Sequence, residues 1–553
     1  MEAMANNLKI IPLGGFDKIG MNMTIIEFGD SIIVIDCGTS FPPNNMPGID
    51  TVIPDINYLI ENADRVKGIV LTHGHEDHIG AVPYVLLNLN VPIYGTPLTI
   101  ALVEKRLEDR GIKKYRTKVI RTGNTIVLGA FKVEFIRANH SIPDAAMLAI
   151  YTPIGIVFHT GDFKIDLTPI LGDVLDLHRV STIGSKGVLA LLSDSTNALM
   201  EGVSPSEEDV NSQLDILFNR YRNNRLIVAT FASNMDRVQQ IIYLAEKYNK
   251  KVILEGEVML SIFSASDKLG YLNIPRDVLI DMADISRYED KDIIFLTTGN
   301  HGEPIKCLMN ITSGNHPQIH VQKNDVILFS SIFIPGSERE FSKTLNSLEE
   351  QGAKIVFQDI HATGHACVGE LLLMYTLLKP KYLIPAHGEY RFRSAAAKIG
   401  SSSGIPKENI LLIQNGDILE ITDEYCRVTG NIPLKEICID GSLVDDMDKN
   451  LIEERRILSE SGIVIAEVCF DSKSGRLVAT PKITTKGFIG ASNNDSIISI
   501  LQDALNVELS RLITQNVRDE RLETQLRSVL SKCVYDKTKQ MPIVVVLVTN
   551  AVL

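Results

Sequence analysis

Short apolar runs dominate the first two hundred residues, at 23–28, 31–36, 68–72, 125–128, 132–136, 147–151, 156–159 and 188–193. They are rich in β-branched residues and end at Gly and Asn, a pattern that predicts strands. A helical segment intervenes at 98–110. Strands with a few helices between them predict an α/β sandwich. The rhythm changes after Gly202-Val203-Ser204-Pro205. From there to about 345, strands at 226–231, 251–254, 292–296 and 325–329 alternate with helical segments, including an amphipathic one at 235–248. Regular alternation predicts an open parallel sheet. Strand-and-loop patterning returns at 354–361 and 381–387, followed by a polar stretch around 440–450. The last hundred residues hold strands at 463–470 and 543–548 and helices at 495–507 and 517–532, which predicts a small α+β domain. The expected domains are 1–204, a first part of the core; 205–358, an insert; 359–445, the rest of the core and a linker; and 446–553.

Composition adds exclusions. Apolar residues make up 45% and charged residues 22% of 553 positions, and no run approaches the roughly 20 apolar residues that span a bilayer. The segment Lys9 to Leu13 leads into a first strand with no basic-then-apolar leader, so the expected location is the cytoplasm, with no membrane partner. The seven cysteines are scattered without a C-x-x-C pair, which fits reduced thiols better than disulfides or a Cys-type zinc site. A net charge of −13 argues against a general nucleic-acid coat protein. It leaves room for a nucleic-acid enzyme whose bound cations supply the local positive charge.

Candidate chemistry gathers at strand ends. Leu71-Thr72-His73-Gly74-His75-Glu76-Asp77-His78-Ile79-Gly80 follows a predicted strand, with His73 and His75 alternating in an extended loop and Asp77 and His78 opening a helix through Val82 to Leu87. Three imidazoles and a carboxylate so close together are costly to bury unless they bind something. Imidazole with carboxylate suits zinc, and manganese is the alternative. His140, Asp162 and His387 each follow a predicted strand and lie beside, or within a few residues of, Gly or Pro, which completes a set for two metals. In the insert, strands end in Ser233-Asn234, Thr297-Thr298-Gly299-Asn300 and Ser330-Ser331. Such ends bind ligands in open parallel sheets, and their N–H and hydroxyl groups suit phosphate. Plain turn residues are the alternative reading.

H-x-H-x-D-H, the later lone His, the G-D after a strand and the late H-G-E together resemble the metallo-β-lactamase superfamily. That resemblance implies an αββα sandwich, with His73, His75 and His140 on one zinc, Asp77, His78 and His387 on a second, and Asp162 bridging. Ser193-Asp194-Ser195-Thr196-Asn197, then His361-Ala362-Thr363-Gly364-His365, then His387 resemble the three further motifs of the β-CASP nucleases, whose parallel α/β domain is inserted in the core. His387 favours RNA over DNA within that group. The stretches 227–234, 298–304 and 361–392 are similar to the ribonuclease J family, as is most of the chain from residue 8 to about 430 and, loosely, the C-terminal domain.

The resemblance implies a metal-dependent hydrolase of RNA phosphodiesters, both a 5′-to-3′ exonuclease and an endonuclease, acting on RNA with a 5′ monophosphate. Its catalytic residues would be His365 as proton donor to the leaving 3′ oxygen, Asp77 as a ligand, and Asp194 orienting a neighbour. Ser233, His361, Thr363, Gly364 and His365 would hold RNA. The family also implies a homodimer or homotetramer, or pairing with a paralogous subunit. Two departures bear on RNA binding and leave the metals untouched: Gly256-Glu257-Val258 and Gly299-Asn300-His301-Gly302 stand where the family usually has Gly-Arg-Ser and Gly-Ser-Gln-Gly. The competing readings are a small-molecule hydrolase, disfavoured by the long insert, a DNA nuclease, and a non-catalytic or weakly active RNA-binding subunit, disfavoured because every ligand position is filled.

Overall fold

A computed structural model describes residues 7–551 apart from 43–45, 299–303, 331–337, 357–359, 361, 442, 446–448, 472–475, 489–494 and 516–518. The chain divides into two compact units, 1–41 with 52–436, and 42–51 with 437–553.

The first unit contains two sheets packed face to face. One has eight strands, in the order Cys426–Asn431, Asp417–Ile421, Leu8–Gly14, Met23–Phe28, Ser31–Ile35, Val66–Val70, Ile93–Gly95 and Thr117–Val119. The other has six, in the order Tyr382–Ala386, Val188–Asp194, Gly155–His159, Ala146–Thr152, Phe131–Arg137 and Thr125–Leu128. Side chains alternate across a strand. Val133, Phe135, Leu148, Ile150, Val157 and Leu192 therefore meet Ile10, Ile26, Ile33, Ile35 and Val70 in one buried core. The opposite side of the six-stranded sheet presents Ile136, Met147, Ala149, Phe158 and Leu191 to the helices Leu177–Ser185, Val368–Leu378 and Tyr390–Ser402. This is the expected αββα sandwich.

Strand direction gathers the chemistry at one edge. Gly155–His159, Val188–Asp194 and Tyr382–Ala386 are mutually parallel, and Phe131–Arg137 runs the same way because two antiparallel steps separate it from Gly155–His159. Their carboxyl ends lead into His140, Asp162, Asp194 and His387. In the facing sheet, the parallel strands Ser31–Ile35 and Val66–Val70 lead into Asp36 and the His73–His78 motif.

The helix expected through 77–87 is broken. Two single turns form instead, Glu76–Ile79 and Val82–Val85. The backbone bonds a helix would use go elsewhere: Ala81 N–H donates to Cys37 O at 2.9 Å, while the carbonyls of Asp77 and His78 accept from Asn22 N at 3.0 Å and Cys37 N at 2.7 Å. The motif is thus tied by its backbone to Asn22 and Cys37, beside the ends of neighbouring strands.

The insert forms the expected open sheet, wholly parallel, in the order Lys251–Glu255, Ile293–Thr297, Leu226–Thr230, Val326–Ser330 and Lys354–Val356. One core joins Ile227, Phe295, Ile327 and Phe329 to Leu308, Ile311 and Leu348. The helix Met235–Lys247 covers the sheet, yet its polar residues Asp236, Arg237, Gln239 and Gln240 are buried as well as its apolar ones.

The second unit has a three-stranded sheet with Ile463–Asp471 in the centre, antiparallel to Lys482–Lys486 and parallel to Ile543–Ala551. Val464, Ala466, Val468 and Phe470 alternate onto one face and pack on Leu501, Leu505, Leu509, Leu522, Leu526 and Leu530 of the helices Asp495–Thr514 and Asp519–Thr538. No described helix is long and apolar enough to cross a membrane.

Candidate metal centre

The structure brings all seven expected metal ligands into one cluster. His75 Nδ1 lies 3.0 Å from His73 Nε2 and 2.9 Å from His140 Nε2. Asp162 Oδ2 lies 3.8 Å from the first of those partners and 3.9 Å from the second. In the adjoining group, His78 Nε2 lies 3.3 Å from Asp162 Oδ2 and 3.6 Å from Asp77 Oδ2, and His387 Nε2 lies 3.2 Å from Asp77 Oδ2. Asp162 belongs to both groups. A third group joins Asp162 and His387 to Asp194 and His365.

Hydrogen bonds on the far side of the His73, His78, His140 and His387 rings select their tautomers. Asp36 accepts from Thr72 N at 2.8 Å and from Thr72 Oγ1 at 2.9 Å, so that hydroxyl receives the His73 Nδ1 proton at 3.0 Å. Asp36 Oδ2 also faces His78 Nδ1 at 2.8 Å. Gly364 O accepts from His140 Nδ1 at 2.6 Å. Thr196 Oγ1 donates to Asp194 Oδ1 at 2.7 Å and lies 2.9 Å from His387 Nδ1. For His73, His140 and His78 this leaves the Nε2 lone pair facing the cluster. His75 is turned the other way: Nδ1 faces its neighbours, and its buried Nε2 has no protein partner. Orienting partners of this kind accompany metal-bound imidazole. Asp36 (φ +61°) and His387 (φ +49°) both adopt left-handed backbone conformations. Such strain in non-glycine residues concentrates at functional sites.

The donor set fits metal ions. His75 Nδ1 lies within 3.0 Å of two ring nitrogens that carry no proton, His73 Nε2 and His140 Nε2, so a proton on His75 could satisfy only one of the two contacts. Held at about 2.0–2.1 Å from a shared tetrahedral ion, these nitrogens would stand roughly 3.3 Å apart. Electrostatics differ between the groups. Burial, then the neighbouring rings, hold His73 and His140 well below the usual imidazole range. His75, likewise buried, falls to about 4. These rings are neutral, as ligation requires. In the second group burial opposes protonation, but carboxylates outweigh it. Asp162, Asp77 and Asp36 raise His78, and Asp162, Asp194 and Asp77 push His387 up to about 10.

His365 keeps 21% of its side chain exposed. Its Nδ1 lies 2.9 Å from Asp194 Oδ2, and its ring stacks on His387 with centroids 5.5 Å apart. Burial works against a charged His365, and Asp194 overcomes it, so its pKa is raised. The expected RNA contacts are more dispersed. Thr363 Oγ1 accepts from Asn197 Nδ2 at 2.7 Å and from His365 N at 3.2 Å, so it braces its own loop. Gly364 meets His140 through its carbonyl. Ser233 stands in the turn after Leu226–Thr230, at the carboxyl edge of the inserted sheet, and is not part of the donor cluster. His361, Asn300 and His301 lie outside the described residues. Gly256 (φ +113°) precedes the helix Glu257–Lys268, and Glu257 is exposed.

Sequence reasoning missed Asp36, Thr72 and Thr196. Asp36 ends a predicted strand, a signal like the one that singled out Asp162, and that signal could have found it.

Fold and site together define a metallo-β-lactamase-type metallohydrolase carrying a β-CASP insert. Residues 19–196 match the metallo-β-lactamase superfamily model, 223–348 the ribonuclease J β-CASP domain, 353–410 the Zn-dependent metallo-hydrolase RNA specificity domain, and 450–551 the ribonuclease J C-terminal domain. The chain belongs to the ribonuclease J family. It is 39% identical to ribonuclease J2 of Bacillus subtilis over 98% of both chains. It is 40% identical to ribonuclease J of Synechocystis over 87% of this chain and 76% of that one. A solved protein of unknown function from Enterococcus faecalis shares the fold, with a TM-score of 0.53 and 16% identity over 75% of this chain and all of that one.

Proposed function

We propose that the chain hydrolyses RNA phosphodiesters as a 5′-to-3′ exonuclease and endonuclease, with two zinc ions and a preference for a 5′ monophosphate. The chain is a metal-dependent ribonuclease, by its family and by its His/Asp cluster. The observation that carries the two-metal reading is Asp162, whose carboxylate is shared by two donor groups. His73, His75 and His140 would hold one ion and Asp77, His78 and His387 the other. Bound there, the pair would supply a Lewis-acidic centre that lowers the pKa of water and neutralises phosphate charge.

The chain's own groups do the rest. His365 holds a proton beside the cluster and delivers it to the leaving 3′ oxygen. Asp194 orients that ring through Oδ2 and, through Oδ1 and Thr196, steadies His387. Residues 205–358 form the inserted domain, and RNA lies between it and the core, with Ser233, His361, Thr363 and Gly364 lining its path. The second unit supports a homodimer or homotetramer. The test is incubation of purified protein with 5′-monophosphate and 5′-triphosphate RNAs, with and without chelator, beside elemental analysis. Chelator-sensitive cleavage that favours the monophosphate, with two zinc ions per chain, is expected. Chelator-resistant cleavage, or one metal per chain at full activity, would overturn the reading.

A further inference from the structure

The join between the inserted sheet and the core is built from buried charge that the reading above does not use. Glu207, 1% exposed, opens the helix Glu207–Arg220 where the chain enters the insert. Its Oε1 accepts from Lys164 Nζ at 2.9 Å, and its Oε2 lies 3.3 Å from Arg237 Nη2 and 3.3 Å from Gln240 Nε2. Asp166 pairs with Lys164 at 3.1 Å and accepts from Glu207 N at 2.8 Å. Fastening alone would be achieved as well by apolar packing, without the desolvation cost of buried ions. Buried ions add directed bonds, so the atoms that receive them are informative.

Arg237 is fully buried in the first turn of Met235–Lys247. Its Nε donates to Gln240 Oε1 at 2.6 Å, and its Nη1 donates to Ser330 Oγ and to the carbonyl of Ile360. Ser330 Oγ donates to the same carbonyl at 2.7 Å. Ile360 is where the chain returns from the insert, and His365 follows five residues later. Beyond Ile360 this segment is held by core groups: Asn197 on Thr363, His140 on Gly364 and Asp194 on His365. At Ile360 it is held by the insert, through Arg237 and Ser330. Arg237 is also four residues from Ser233, and Asn234 caps the helix by accepting from Arg237 N at 3.0 Å. Among the described residues, the edge of the inserted sheet and the His365 loop are therefore joined through Arg237, with Ser330 beside it.

We propose that Arg237 is a positioning residue for His365, transmitting the placement of the insert's edge to the proton-donating loop through the Ile360 carbonyl. This rests on the reading of His365 as the proton donor. The test compares two RNAs in single-turnover cleavage at saturating substrate: the natural linkage, and one with sulfur replacing the bridging 3′ oxygen of the scissile bond. A thiolate leaves without a proton, so a misplaced acid slows only the natural linkage. The variant is Arg237→Met combined with Glu207→Gln, which leaves no unneutralised partner. Natural cleavage should fall by roughly 10- to 10²-fold, with the sulfur substrate within about twofold of the parent. Metal content and the KM for RNA should hold, and Arg237→Lys should recover part of the loss. Ser330→Ala removes one bond to Ile360 and no charge. It should show a smaller loss of the same selectivity, and it decides the matter if the double variant does not fold. Equal loss on both substrates, or no loss, would overturn the proposal. His365→Ala separates the layers. If it is selective and the Arg237 and Ser330 variants are not, only the positioning role fails; if it is unselective, the proton-donor reading fails and takes this proposal with it.

Discussion

Gly364→Ala is the substitution for which the structure forecasts the most specific outcome. A Cβ at this position would stand 2.6 Å from His140 Cε1, 2.7 Å from its Nδ1 and 3.0 Å from Ser141 Oγ. Ordinary contact begins near 3.4 Å, so ring and loop must separate by about 0.8 Å. The ring has little room to yield. The His140 side chain is 1% exposed, and its Nε2 already lies 2.9 Å from His75 Nδ1. Either His140 leaves the donor group or residue 364 withdraws and the 2.6 Å bond to Nδ1 is lost. Loss of an orienting bond typically lowers metal affinity by about 10- to 100-fold, or roughly 1.4–2.7 kcal/mol. His365 is the next residue, so a displacement approaching 1 Å should slow cleavage by up to about 10²-fold even with metal saturating. Metal affinity is read by competition with a chromogenic chelator, and chemistry by single-turnover cleavage in excess metal. Parental metal affinity with only a raised KM for RNA would refute this reasoning and leave Gly364 with its substrate-holding role alone.

Other outcomes follow from the same geometry. His387→Ala should lose one metal equivalent along with cleavage, whereas His365→Ala should keep both and lose about 10²–10⁴-fold in rate; parallel loss of metal and activity in His365→Ala would make it a ligand or support. Asp36→Ala removes the acceptor that holds His78 Nδ1 and Thr72, so metal affinity should fall by about 10- to 100-fold; an unchanged chelator titration would remove Asp36 from the centre. Burial and then Glu207 push the Asp236 carboxyl up to about 7, so it binds its proton more tightly folded than unfolded. Its contribution to stability is complete below about pH 4 and is lost as pH rises through 7, by at most about 1.4 kcal/mol per unit. Asp236→Asn should flatten that decline in urea midpoints, and an identical pH slope would contradict the assignment. Deleting 446–553 should lower the mass seen in light scattering, and an unchanged oligomer would refute the role given to the second unit.

Elements whose periodicity matches their burial were legible in the sequence. The alternating strands of the sandwich and the parallel character of the insert follow from pattern alone, although Lys354–Val356, read with the returning strand-and-loop pattern, joins the inserted sheet as its fifth strand; the histidine motif announces itself by density. What stayed hidden depends on contacts distant along the chain. The 77–87 segment has helical composition, but Asn22 and Cys37 capture its backbone groups. The segment 235–248 reads as amphipathic, which sends Asp236 and Arg237 to solvent. In the folded chain both are buried, Arg237 against Glu207 and Ile360 and Asp236 against the Leu171 amide, partners that arrive from elsewhere. Likewise the role of Gly364 lies in a carbonyl that meets a ring 224 positions away.

The pairing of Val188–Asp194 with Tyr382–Ala386 also governs the order in which the molecule can assemble. The facing sheet makes the same demand, since Leu8–Gly14 pairs with Asp417–Ile421. Neither layer of the sandwich is complete until residues beyond 380 have left the ribosome. The strands of the inserted sheet, by contrast, all lie from Leu226–Thr230 to Lys354–Val356 along the chain, so that sheet can close earlier on its own contacts. Once formed, it replaces a long floppy loop by a folded body and lowers the entropy lost in bringing the two ends of the core together. A nascent chain halted before Tyr382 would hold the histidine motif, His140 and Asp162 without the strand that completes the six-stranded sheet, leaving costly non-local pairing for the end of synthesis.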